Sequence, residues 1–186
     1  MKNKNIIGGI IGIIMTAGIT IFNYTDNDVI LESGQVIEHT TMPKHFSKAF
    51  KKRDLKKGLY ITLHHTAGNK NQTVESIAKD QIARGFAEFA YHFAIYQDGT
   101  IYAVNDIEEV SWHDSGQNTN SIGIVLVGNY QNDKLTEEQL KSIKLLTTAI
   151  CNEVKIIGIR GHRDTSPTLC PGDNAYFELK EDGIFF

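Results

Sequence analysis

The feature that most constrains the fold is an apolar run, SIGIVLVG, at residues 121–128. A strand with one solvated face alternates apolar and polar residues, whereas this run is apolar on both faces and predicts a central, fully buried strand. Such a strand needs other elements packed on each side of its sheet. We therefore expect a central sheet covered by helices.

The segments around this run alternate between strand and helix patterns. Strand periodicity occupies residues 59–65, 90–104 (a hairpin around Asp98-Gly99) and 155–159, and helical periodicity occupies residues 74–82 and 136–154. Thr136 and Gln139 have the spacing of a capping box at the start of the second helix. The alternation predicts an α/β fold with a single mixed central β-sheet flanked by α-helices.

The N-terminal residues differ in kind from the rest. Lys2 and Lys4 precede an apolar run at residues 6–22, and the next charge is Asp26. Because roughly 20 apolar residues span a bilayer, residues 1–24 are predicted to be a membrane anchor or a cleaved signal segment, or an anchor that later leaves the membrane. Cations before the run and acidic residues after it predict an exported body, membrane-anchored or secreted.

Between this segment and the folded body lies a stretch of different composition. Residues 25–57 are predicted to be a tether followed by a basic segment, KAFKKRDLKK, which is typical of a solvated helix face or, alternatively, of contact with an anionic surface. The folded domain is expected at residues 58–186. The net charge of −3 argues against nucleic-acid binding, and two cysteines are too few for a disulfide-stapled scaffold.

One loop near the C-terminus combines the residue types of a metal site. It is GHRDTSPTLCPGD, residues 161–173, and it contains His162 and Cys170. In the strand LYITLHH, parity places His64 on the face that can project into a site and His65 on the apolar face, as a structural residue. Catalytic zinc sites keep three protein ligands of these types and one open position.

From the residues alone, three interpretations of this loop stay open. His64, His162 and Cys170 form a metal site if their two strands lie close together. The loop is otherwise a turn that contains a buried thiol, or Cys170 pairs with Cys151. In the helix pattern Cys151 follows Ile150, and we predict it to be a small buried side chain.

Four segments in order resemble the zinc N-acetylmuramoyl-L-alanine amidases, which include phage lysozyme-type amidases and animal peptidoglycan recognition proteins. The segments are LHHTAG, AYHFAIYQDGTIYAV, SWHDSGQNTNSIGIVLVG and GHRDTSPTLCPGD. The resemblance covers residues 59–173. It implies a central sheet flanked by helices, in agreement with the pattern of the chain.

The resemblance also implies an activity and a set of site residues. The activity is zinc-dependent hydrolysis of the amide between N-acetylmuramic acid and L-alanine in peptidoglycan, by a monomer that binds peptidoglycan or muropeptides. Zn²⁺ would activate water and polarise the carbonyl, and a phenol would stabilise the oxyanion. The implied residues are the ligands His64, His162 and Cys170, the catalytic Tyr91 and Thr168, and the substrate-binding His113, Asn118 and Asn120.

The chain departs from parts of the family pattern. Some branches have an acidic third ligand and a glutamate in the SIGI strand, where this chain has Cys170, Val125 and Val127, as in the phage and recognition-protein branch. Asp114 stands where a small residue is common. A non-catalytic peptidoglycan-binding module is the alternative function, but members that only bind typically lack the cysteine ligand.

Overall fold

A computed structural model describes residues 22–25, 28–30, 36–39 and 42–186. In these residues the chain forms one mixed sheet with helices packed on it, as the sequence predicts. The helices are α1 (Val74–Ala83), α2 (Glu137–Glu153) and α3 (Asp173–Glu181). The strands are β1 (Phe22–Thr25), β2 (Asp28–Ile30), β3 (Val36–His39), β4 (Leu59–His65), β5 (Phe93–Ile95), β6 (Ile101–Ala103), β7 (Ser121–Leu126) and β8 (Ile156–Gly161).

The apolar run at residues 121–128 contains the central strand of the core. Strand β7 lies between β5 and β4, is parallel to both, and is buried along its whole length. The order of the sheet is β1-β2-β3-β6-β5-β7-β4-β8. Because β4 and β8 are also parallel, their carboxyl ends lie at the same edge of the sheet.

The two faces of the sheet are covered by different helices. Leu63 of β4 and Ile124 of β7 belong to the larger apolar cluster, which contains the inward residues of α2 and α3. Val125, the next residue of β7, belongs instead to a smaller cluster with Val74 and Ile77 of α1. Burial of both faces explains why β7 is apolar at every position.

The start of α2 confirms half of the predicted capping box. The Thr136 hydroxyl accepts a hydrogen bond from the Gln139 backbone N–H at 3.0 Å. The Gln139 side chain does not reach back to Thr136, because its amide pairs with the Tyr130 hydroxyl at 2.7–2.9 Å. The side chain therefore supports the core beneath the helix rather than its first turn.

The region predicted to be a tether contributes strands to the sheet, which is a correction to that prediction. Strand β3 pairs in parallel with β6, and β2 pairs with β3 and β1. Their backbone hydrogen bonds extend the sheet beyond the hairpin, so the folded unit begins before residue 58. The sequence pattern did not predict these strands, because the strands are short and the region is polar and aperiodic.

Of the predicted anchor or signal segment at residues 1–24, residues 1–21 lie outside the described residues, and residues 22–24 belong to β1. Within the described part of the chain, no helix is both long and apolar enough to cross a membrane.

The basic segment at residues 48–57 is also corrected, since it is not helical. Its one arginine, Arg53, lies against the domain and donates to the carbonyl oxygens of Ile107 (2.8 Å), Asn118 (3.0 Å) and Ser121. Arginine can satisfy several acceptors at once, which lysine cannot do with the same geometry. The segment therefore fixes the long loop between β6 and β7.

Candidate metal centre

The three predicted metal ligands converge at the carboxyl edge of the sheet. His64 lies near the end of β4, and His162 and Cys170 lie in the loop after β8. Their ligand atoms are all within 4.8 Å of one another. His64 Nδ1 is 3.6 Å from Cys170 Sγ, and the rings of His64 and His162 have centroids 4.5 Å apart. Residues distant in sequence meet because β4 and β8 are adjacent parallel strands.

The loop that presents Cys170 is held by many hydrogen bonds. The backbone N–H of His65 donates to Cys170 Sγ at 3.3 Å, and the His65 ring accepts from the Tyr130 N–H at 3.2 Å. Arg163 pairs with Asp173 at 2.7 Å. His65 is thus structural, as strand parity predicts. These contacts hold the loop in shape.

Burial governs the ionisation of the ligand residues. It raises the pKa of the Cys170 thiol to about 12. Burial, followed by the proximity of His113 and His162, lowers the pKa of His64 well below its ordinary value. The His64 imidazole is therefore neutral and has a lone pair for a metal, whereas the thiol becomes a ligand when a cation displaces its proton.

The donor set fits zinc. Bonds of about 2.0–2.3 Å in tetrahedral geometry place neighbouring donor atoms about 3.3–3.8 Å apart. The separation of 3.6 Å between His64 Nδ1 and Cys170 Sγ lies in that range. Two imidazoles and a thiolate leave a fourth coordination position for water or substrate.

The Tyr91 ring lies beside the ligand group, with its centroid 5.1 Å from that of His64. Its backbone carbonyl accepts from the Asn105 side-chain amide at 2.6 Å, which fixes the chain just before β5. Burial and then the charge of Cys170 raise the pKa of Tyr91 above its ordinary value. The phenol keeps its proton at neutral pH and can donate a hydrogen bond. A cavity of about 510 Å³ opens beside it, towards Thr66 and Arg84.

His113 lies beneath the ligand group and not in an open groove, which differs from the role implied by the resemblance. Only 7% of its surface is exposed. Its Nε2 faces the Ser121 carbonyl oxygen at 3.3 Å, and its Nδ1 is 3.0 Å from Nε2 of His64. A carbonyl only accepts, so His113 carries its hydrogen on Nε2 and accepts from His64 Nε2–H. The free lone pair of His64 is then on Nδ1, beside Cys170.

A glycine of β7 makes this arrangement possible. A Cβ atom at Gly123 would lie 2.6 Å from Cγ of His113, which is closer than such contacts allow. The ring therefore lies directly on the backbone of the sheet. The glycine inside the apolar run is the sequence signal for a close approach that periodicity alone did not reveal.

The other predicted site residues have local contacts. Asn118 Oδ1 accepts from the Asp114 N–H at 2.6 Å, Asn120 is exposed at the end of a short 3-10 helix, and the Thr168 hydroxyl accepts from the Cys170 N–H at 3.2 Å. Asn118 and Thr168 thus hold their own loops in shape. Their contacts with substrate stay predictions.

Two further residues are placed by the structure. His92 is fully buried and accepts at Nδ1 from the Gly123 N–H at 2.9 Å. Cys151 is exposed on α2, so the prediction that it is buried is wrong. Both cysteines are free, and the alternative disulfide with Cys170 is not formed.

Comparison with known proteins gives consistent relatives. Peptidoglycan-recognition protein SC2 of Drosophila melanogaster is 32% identical over 134 residues, which are 65% of this chain and 72% of the relative. The endolysin of Escherichia phage T7 is 29% identical over 136 residues, which are 70% of this chain and 87% of the relative.

Solved structures agree with these relatives. N-acetylmuramoyl-L-alanine amidase LysC from Clostridium intestinale has a TM-score of 0.70 at 28% identity, covering 79% of this chain and 97% of its own. The ectodomain complex of peptidoglycan recognition proteins LCa and LCx, with tracheal cytotoxin bound, has a TM-score of 0.68 at 25% identity, covering 75% and 89%.

The model of the family described as N-acetylmuramoyl-L-alanine amidase matches residues 54–173. That span runs from just after Arg53 to the start of α3 and contains the metal-ligand group and Tyr91. With a mixed sheet, the converging histidines and cysteine, and a match over more than half of its length, this chain belongs to the N-acetylmuramoyl-L-alanine amidase family.

Proposed function

We propose that the protein is a zinc-dependent hydrolase that cleaves the amide bond between N-acetylmuramic acid and L-alanine in peptidoglycan. The observation that carries this proposal is the convergence of His64, His162 and Cys170 within 4.8 Å, with the Tyr91 ring beside them. Endolysin and amidase relatives support hydrolysis, and the recognition proteins bound to tracheal cytotoxin support a peptidoglycan fragment as the ligand.

Zinc held by these three residues would supply Lewis-acid polarisation of the scissile carbonyl and of the attacking water. The chain itself orients the ligands. His113 holds the His64 ring by a hydrogen bond of 3.0 Å, and the His65 N–H supports the sulfur of Cys170. These contacts fix the donor atoms in place, so little reorganisation accompanies metal binding.

Tyr91 is assigned the stabilisation of the oxyanion. Attack on an amide carbonyl places negative charge on oxygen, and a protonated phenol can donate to it. The raised pKa of Tyr91 keeps that proton in place. Thr168 acts in support, because its hydroxyl accepts from the Cys170 N–H and so helps hold the turn that presents the sulfur. The cavity beside Tyr91 is proposed to receive the peptide side of the substrate.

The test is hydrolysis of purified peptidoglycan by the full chain. The readout is release of new L-alanine amino termini, measured with no addition, with a zinc chelator, and with zinc restored after chelation. Release that is lost with the chelator and recovered with zinc is the expected result. The full chain is preferable to residues 58–186 because β2 and β3 belong to the sheet.

A recognition module is the second candidate, and the same experiment separates it. Its support is the 32% identity with a peptidoglycan-recognition protein. Zinc bound and peptidoglycan bound, with no new amino termini, would establish this alternative. A protein that binds no zinc and shows no hydrolysis would reject the metal centre altogether.

We propose in addition that the domain acts outside the cytoplasm. The proposal rests on the lysines and the apolar run within residues 1–24. Fusion of this segment to a reporter that is active only after export tests it. A reporter that stays inactive while the fusion is stably produced would exclude export by this segment.

A further inference from the structure

Asp114 is a buried carboxylate that the family resemblance does not explain. It is 1% exposed, and its Oδ1 atom has no hydrogen-bond partner among the described residues. A buried carboxylate oxygen without a donor is costly, since it has lost water and gained nothing in return. The His162 ring lies beside it, with Nε2 3.6 Å from this oxygen.

The other oxygen of the same carboxylate is already engaged. The Thr165 hydroxyl donates to Oδ2 at 2.9 Å, and the Arg160 guanidinium is 3.8 Å from the same atom. The backbone of Asp114 is fixed as well, because its N–H donates to Asn118. The carboxylate is therefore held with Oδ1 towards His162.

This placement determines which nitrogen of His162 is free. A neutral imidazole carries one hydrogen, and an acceptor beside Nε2 favours that hydrogen on Nε2. The lone pair is then on Nδ1. His64 shows the same arrangement, since its Nε2 faces His113. The consecutive residues His113 and Asp114 thus each face one of the two histidine ligands.

We propose that Asp114 is a positioning residue of the metal centre. On metal binding, Oδ1 accepts a hydrogen bond from Nε2–H of His162, holds that ring with Nδ1 towards the metal, and balances the positive charge left by a divalent cation with one thiolate. Carboxylate partners of metal-bound histidines act in this way in other proteins. The inference rests on the proposed zinc site, but not on the identity of the substrate.

The test compares zinc affinity in the full-length wild-type chain and in Asp114→Asn, by competition with a chromophoric chelator. The variant keeps the shape of the side chain and removes its charge. We expect zinc to bind about 10- to 100-fold more weakly. Cobalt substitution gives a second readout, because an altered His162 ligand should shift the d–d absorption bands.

Glu88→Gln is the matched control. Glu88 is another buried carboxylate, 3% exposed and 2.8 Å from Lys44, and it is not a member of the ligand group. The zinc affinity and cobalt spectrum of Glu88→Gln should match the wild type.

Thermal unfolding of the metal-free protein separates positioning from structure. The thermal midpoint of the metal-free Asp114→Asn chain should be unchanged or higher, since Oδ1 lacks a donor, whereas a purely structural role predicts a lower midpoint.

The outcomes are distinct. Wild-type zinc affinity and an unchanged cobalt spectrum in Asp114→Asn would overturn the positioning role while leaving the metal centre intact. A wild-type chain that binds no zinc would overturn both. If Asp114→Asn does not fold, Thr165→Val removes the donor to Oδ2 and should weaken zinc binding to a smaller degree; unchanged affinity there would also overturn the inference.

Discussion

Two buried histidines, His64 near the end of β4 and His92 just before β5, have opposite surroundings. At His92, a backbone N–H occupies Nδ1, and Nε2 faces the Glu109 carbonyl oxygen at 2.9 Å. At His64, Nε2 is occupied by His113, but Nδ1 faces the thiol of Cys170 at 3.6 Å. The two histidines occur in similar sequence contexts, His64 in LHHT and His92 in AYHF. A histidine saturated by the protein supports the scaffold, whereas one with a lone pair aimed at other ligands can bind metal.

The largest expected effect is the loss of the proposed metal site around His64. Cys170→Ser should lower zinc content from about one ion per chain to near zero and abolish amide hydrolysis with it, because a hydroxyl is a much poorer zinc ligand than a thiolate. Elemental analysis and the amino-terminus assay measure both. Cys151→Ser is the control, since Cys151 is exposed on α2 and should change neither quantity. Full activity in Cys170→Ser would reject the ligand assignment.

Tyr91→Phe separates chemistry from metal binding. Loss of the phenol hydroxyl should lower the hydrolysis rate by about 10²–10³ and leave zinc content unchanged. Tyr60→Phe removes a hydroxyl from a tyrosine whose ring lies under Arg160, 4.1 Å from the guanidinium carbon, and should retain activity. Loss of zinc in Tyr91→Phe would instead assign this ring to the structure of the site.

Arg53→Met tests the scaffold contacts near His92. It removes the donor to the carbonyl oxygens of Ile107, Asn118 and Glu109, the last of which also faces His92, so the free energy of unfolding should fall by about 2–4 kcal/mol, measured by denaturant titration. Lys52→Met changes an exposed neighbour, 64% exposed at the side chain, and should shift stability by less than about 0.5 kcal/mol. Equal effects would refute the role of Arg53.

The smallest effect is a difference in pH dependence. Burial, with the neighbouring Arg53 charge, lowers the pKa of His92 from 6.5 to about 3. Between those values the unfolded chain binds one more proton than the folded chain, so stability falls as pH falls from about 6.5 towards 3. In His92→Gln the slope should be shallower by about 1.4 kcal/mol per pH unit. Unfolding of metal-free proteins from pH 7 to 5 measures it, and equal slopes would contradict the assignment.

Much of this could be predicted because the signals are local and periodic. The apolar run predicted the central strand, strand parity separated His64 from His65, and the family motifs predicted the three candidate ligands that the structure brings together. Helix α3 and strands β1, β2 and β3 were not predicted. These elements are short, so they leave little periodic pattern in the sequence. Their positions depend on contacts with the edge of the sheet and with the loop before α3.

The sequence by itself determined the residue types available: two histidines and a thiol near strand ends, a tyrosine before the hairpin, and glycine within the apolar run. Only the tertiary structure decided which ring nitrogens are occupied. The tautomer of His64 follows from the Ser121 carbonyl acting through His113, and the neighbourhood of His162 follows from Asp114. Such contacts join loops distant along the chain, and hydrogen bonding depends on atoms meeting at about 3 Å, which no spacing of letters encodes.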